Sequence, residues 1–70
     1  MREKKEVTVN GETLFFETDA TLLDVVRSLS LEPDRVAVEL NRAIVKREAW
    51  TVTRFDADSE IEIVQFVGGG

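Results

Sequence analysis

The dipeptide Asn10-Gly11, flanked on both sides by stretches of alternating apolar residues, constrains the fold of this chain more than any other feature. Asn-Gly is the strongest short hairpin signal, so two antiparallel strands meet here. Before the turn, Val7 and Val9 share one face of a strand from Glu6 to Asn10. Beyond it, Leu14 and Phe16 continue the alternation with Thr13, Phe15 and Glu17 opposite. Leu14 and Phe16 are thus the expected core residues, and Phe15 is left open.

The period then changes from two to that of a helix. Thr21 can cap a helix start, Asp24 complements its positive N-terminal dipole, and Leu22, Val25, Val26 and Leu29 recur at helical spacing. Leu31 is expected to close the helix end and Glu32-Pro33-Asp34 to stop it, because a residue before proline is biased away from helical geometry. Alternation returns at Val36, Val38 and Leu40, and the short Asn41-Arg42 connection leads to a brief strand at 43–46. Residues 47–55 show no clean period, so a turn-rich connection is expected there, with Trp50 and Phe55 pinning it to the core. Trp50 reads as a packing anchor rather than a binding residue. After the polar turn Asp56-Ala57-Asp58-Ser59, a last strand spans 60–67, with Ile61 and Ile63 on one face and Val64 and Phe66 on the other. That second apolar face implies either burial in mid-sheet or a partner-binding patch.

Strand, strand, helix, strand, short strand, strand is the order of an α+β, ubiquitin-like β-grasp, with a mixed sheet of about five strands packed on one helix. The first and last strands are suited to parallel pairing in the middle, and the hairpin and helix between them supply the long connection this needs. Residues 1–67 are expected to form this domain, and residues 68–70 a flexible tail projecting from the sheet edge.

Chemistry is limited by composition. The 70 residues contain no cysteine and no histidine, which removes thiolate nucleophiles, thiolate metal ligands and the usual neutral-pH proton shuttle. No enzyme site and no metal site are expected. A net charge of −5 argues against nucleic-acid binding. No apolar run approaches the roughly 20 residues of a membrane span, and no signal-peptide pattern opens the chain, so it reads as soluble and cytoplasmic. Residues 42–54 carry a net charge of +3, and residues 55–70 carry four acids and no base. These runs are either solvated faces or docking surfaces.

The remaining handle is the end, Gly68-Gly69-Gly70. A free α-carboxylate has a pKa of about 3.5 and is a poor electrophile as an anion, so it must be activated before a nucleophile can displace its oxygen. Activation by ATP would give an acyl-adenylate, a step that belongs to a partner enzyme. Without Cβ atoms the glycines can thread a narrow channel. The alternative is an idle, frayed end.

Several segments together resemble the ThiS family of sulfur carriers in thiamine biosynthesis. They are Val7-Thr8-Val9-Asn10-Gly11, Val36-Ala37-Val38-Glu39-Leu40-Asn41, Ile44-Val45 through Arg47 to Trp50, Ile61-Glu62-Ile63-Val64, and Phe66-Val67-Gly68-Gly69-Gly70. The resemblance implies that a ThiF-like enzyme adenylates Gly70 with ATP and that a persulfide donor converts it to a thiocarboxylate. A ThiG-like thiazole synthase would then receive the sulfur. It implies no bound cofactor, assigns Gly68 and Gly69 to threading, and makes Val64, Phe66 and Val67 docking candidates. Asp58 stands where the family often has glycine, and Lys46 where it often has proline. A MoaD-like carrier for molybdopterin synthesis and a β-grasp binding module without carrier chemistry are the alternatives.

Overall fold

A computed structural model describes residues 3–66. Five strands, β1 (Lys4–Val9), β2 (Glu12–Glu17), β3 (Val36–Leu40), β4 (Ala43–Val45) and β5 (Glu60–Gln65), form one sheet in the order β2-β1-β5-β3-β4. One helix, α1 (Leu22–Ser28), covers one face of it. This is the expected β-grasp, with β1 and β5 parallel in the interior and all other pairs antiparallel. The strand before the tail is therefore central, as expected, while the tail at 68–70 and its expected projection from the sheet lie outside the described residues. An edge strand would have one neighbour, whereas β5 has β1 on one side and β3 on the other.

Both hairpins turn on left-handed residues. Asn10 and Gly11 have φ of 51° and 84°, and Asn41 and Arg42 have φ of 50° and 73°. Two successive positive φ values give the type I′ twist that matches paired strands. Asp58, with φ of 67°, takes the left-handed conformation that glycine would adopt there more easily. Lys46 has φ of −63°, the value a proline ring imposes, so the following turn at Arg47–Ala49 forms without proline.

The helix start is fixed by a reciprocal cap. The Asp24 N–H donates to Thr21 Oγ1 (3.4 Å) and the Thr21 N–H donates to Asp24 Oδ2 (2.9 Å). The Leu22 and Leu23 N–H groups donate to the carbonyls of Thr53 and Trp50, which seats the helix on the 50–55 connection. The helix ends earlier than proline alone would end it. Ser30 is left-handed (φ 59°), its N–H donates to Arg27 and the Leu31 N–H to Val26, a Schellman closure built on serine where glycine is usual. Leu29 is the cap residue, and Leu31 closes the helix end as expected through its N–H and also packs on the core.

The core lies between α1 and the inner sheet face. Val7, Val9, Val36, Val38, Ile61 and Ile63 meet Leu22, Val25 and Val26, with Trp50 and Phe55 closing one side. Trp50 is 1% exposed and its indole N–H donates to the Val45 carbonyl (2.8 Å), so it is an anchor. Leu14 and Phe16 are half-buried, because β2 is an edge strand, and Phe15 is 61% exposed on the outer face. One charged group enters the interior. Lys5 Nζ donates to the carbonyls of Thr18, Ala20 and Phe55 (3.0, 3.3 and 2.6 Å) and lies 3.8 Å above the Phe55 ring centroid. Burial lowers its pKa from 10.5, an effect opposed by the charges of Asp56 and Asp19 and reinforced by Arg54.

Candidate functional site

The candidate site is the end of β5, and its geometry follows from how few main-chain partners β1 offers that strand. β1 and β5 are in register only at Thr8 with Glu60 and Val9 with Ile61, after which β1 turns away at Asn10-Gly11. The Asn10 side chain then takes the place of the missing strand. Its Oδ1 accepts from the Ile63 N–H (2.7 Å) and its Nδ2 donates to the Ile63 carbonyl (3.2 Å), the same donor and acceptor pair a residue of β1 would present. On the other side, Asn41 exchanges two bonds with Glu60: its N–H donates to the Glu60 carbonyl (2.7 Å) and its Oδ1 accepts the Glu60 N–H (2.8 Å). Two turn asparagines thus hold β5 between them. The hairpin pattern located both residues, but their side-chain contacts are long-range and carry no local signal.

β3 follows β5 along its whole length, from Leu40 opposite Ile61 to Val36 opposite Gln65, and the Phe66 N–H donates to the Arg35 carbonyl (2.8 Å). Period-two alternation turns Ile61 and Ile63 into the core and Val64 and Phe66 outward, where they are 55% and 58% exposed. Burial in mid-sheet is excluded as the reason for that second apolar face, since only one side of the sheet carries the helix. Val67, Gly68, Gly69 and Gly70 lie outside the described residues.

The outer face around Val64 is acidic as well as apolar. Glu39 lies directly opposite Glu62 on one side and Ile44, 74% exposed, on the other. Like charges directly opposed across strands are unfavourable, and a cationic surface laid over them would relieve that. Glu39, Glu60 and Glu62 also border a depression of about 380 Å³ with Thr8, Gly11, Arg42 and Ile61, and Arg42 approaches Glu60 at 3.9 Å. The bases Arg42, Lys46, Arg47 and Arg54 are all exposed, on the loops and turns that follow β3 and β4. Among the described residues no cluster could hold a metal ion, and no helix is long and apolar enough to cross a membrane.

The chain is 37% identical over 65 residues to a thiazole synthase of Magnetococcus marinus, covering 93% of this chain and 20% of that protein; it thus spans a fifth of that relative's length. It is 36% identical over 63 residues to the sulfur carrier protein ThiS of Bacillus subtilis, covering 89% of this chain and 96% of that one. Its fold superposes on the crystal structure of the thiamine biosynthesis protein ThiS from Geobacter metallireducens with a TM-score of 0.77, at 28% identity, over 93% of this chain and 99% of that one. The ThiS family model matches residues 1–70, so with the β-grasp sheet and its central last strand established, the chain belongs to the ThiS family.

Proposed function

We propose that this chain is a sulfur carrier for thiazole formation in thiamine biosynthesis, acted on by partner enzymes and without catalytic residues of its own. The observation that carries the reading is the union of a ThiS-family β-grasp with a central strand that leads into Gly68-Gly69-Gly70. In this reading residues 1–67 are the folded domain and residues 68–70 the tail. A ThiF-like enzyme transfers AMP from ATP to the Gly70 carboxylate, releasing pyrophosphate. A persulfide sulfur then displaces AMP, and reductive cleavage of the resulting acyl disulfide by a thiol leaves the thiocarboxylate. ATP is consumed by the partner and no cofactor stays on the carrier. The dependence on ATP fits a cytoplasmic setting.

Gly68 and Gly69 let the tail pass through a narrow channel, since neither carries a Cβ. The ordering cost, of order 1–2 kcal/mol per residue, is recovered by main-chain hydrogen bonds within the partner. Val64, Phe66 and Val67 are the docking residues; of these, Val64 and Phe66 are exposed on the outer face that also carries Glu39 and Glu62. A partner surface of basic and apolar residues, with no nucleic acid or membrane involved, complements them. The similarity to a thiazole synthase five times as long supports a ThiG-like recipient, because a carrier-like segment and the synthase share one polypeptide in that relative.

A reconstituted thiazole-forming reaction tests the function. The full chain should sustain turnover, and the chain lacking Gly70 should lose it while keeping its melting temperature. Phe66→Asp should slow turnover at limiting carrier with little change in melting, since the ring is 58% exposed. Retained turnover without Gly70 would contradict the reading.

A further inference from the structure

The β1-facing edge of β5 offers a second kind of contact, made by the main chain. In an antiparallel pair, alternate residues bond to the partner strand and those between them point their N–H and C=O the other way. Phe66 bonds to Arg35 and Glu60 to Asn41, so the even-numbered residues of β5 face β3. Ile61 and Ile63 consequently face β1, and their partners are the Asn10 main chain and the Asn10 side chain. Gln65 is the next in this series. Its neighbour across β3 is Val36 in a non-bonded pair, and among the described residues no hydrogen-bond partner faces its N–H and C=O on the β1 side.

We propose that this edge of β5 at Gln65 is a strand-addition site that takes an extended main-chain segment of a thiazole synthase. The inference rests on the carrier reading above and specifies how the recipient is held. An exposed strand edge, with a donor and an acceptor on the same residue, is complementary to another extended backbone. The preceding position on the same edge already binds an amide group, that of Asn10, so the edge is shaped for amide partners. The thiazole synthase is chosen as occupant because a relative of that name carries a segment similar to this chain within the same polypeptide. Gln65 lies five residues before Gly70, so a strand seated there would lie close to the start of the tail. The exposed Val64 and Phe66 flank the edge and would close over the added strand from the outer face.

The test compares Gln65→Pro with Gln65→Ala in binding to a thiazole synthase that has no carrier segment of its own. Proline removes the outward N–H and spares the β3 ladder, whereas alanine keeps the N–H. The expected result is binding about tenfold weaker for Gln65→Pro than for Gln65→Ala, the effect of one lost main-chain bond, with melting temperatures within a few degrees of each other. Affinities within about twofold would overturn the proposal. Should Gln65→Pro fail to fold, amide exchange in the native chain decides the matter. Rapid exchange at Gln65 in the free protein and slowing on binding would support it; an unchanged rate, or protection already present in the free protein, would overturn it. If the native chain does not bind the synthase, the choice of partner fails and the proposal falls with it. Loss of binding confined to Gln65→Pro leaves the carrier reading intact.

Discussion

Lys5 shows how a single residue can set a condition on the whole core. It is 6% exposed, and its three ammonium protons match three carbonyls from the β2–α1 connection and from Phe55. Removing the ammonium leaves those carbonyls short of a donor in a site largely closed to solvent. Lys5→Met is therefore expected to cost about 1–3 kcal/mol, seen as a lower melting temperature. The pH dependence has a definite sign. Burial lowers the folded-state pKa below 10.5, so between the two values the unfolded chain holds a proton that the folded chain has released. Stability gained from this group then rises with pH through that window and is fully present above 10.5. Melting of the native chain relative to Lys5→Met should therefore improve as the pH climbs toward 10.5; a decline would contradict the assignment. In the sequence Lys5 stands among charged residues of an exposed-looking start, and only the alternation with Val7 and Val9 places it on the inner face. Its role was not legible because its partners are 13 to 50 residues away.

At the scale of elements, all five expected strands are present, and the helix was read correctly at one end. Thr21 and Asp24 act within three residues of each other, so their cap is visible locally. The C-terminal closure on Ser30 was hidden because serine rarely holds a left-handed conformation there, and the proline at 33 drew the expected boundary later. β5 was legible as a strand, but not its offset from β1. Its support by Asn10 predicts a measurable loss: Asn10→Ala removes two bonds to Ile63 and should destabilise the domain by about 1–3 kcal/mol, with faster amide exchange at Ile63. Unchanged exchange at Ile63 would show that the side chain does not support the strand.

For the whole molecule, brevity and function point the same way. A 70-residue chain buries a small core, and here the helix, the inner sheet face, Trp50 and Phe55 take up nearly all of it, which leaves the outer face free for contact. The strand order was inferable from the sequence of elements, because parallel pairing of β1 and β5 needs the long connection that the hairpin and helix provide. The outer-face pairing of Glu39 with Glu62 was not, since it depends on the register of β3 against β5. The carrier assignment turns on Gly70. It predicts that incubation with ATP, a ThiF-like adenylating enzyme, a persulfide donor and a reducing thiol raises the intact mass by the difference between sulfur and oxygen, and that the chain lacking Gly70 is unchanged. An unchanged full-length mass, where the Bacillus subtilis ThiS is converted under the same conditions, would contradict the carrier assignment.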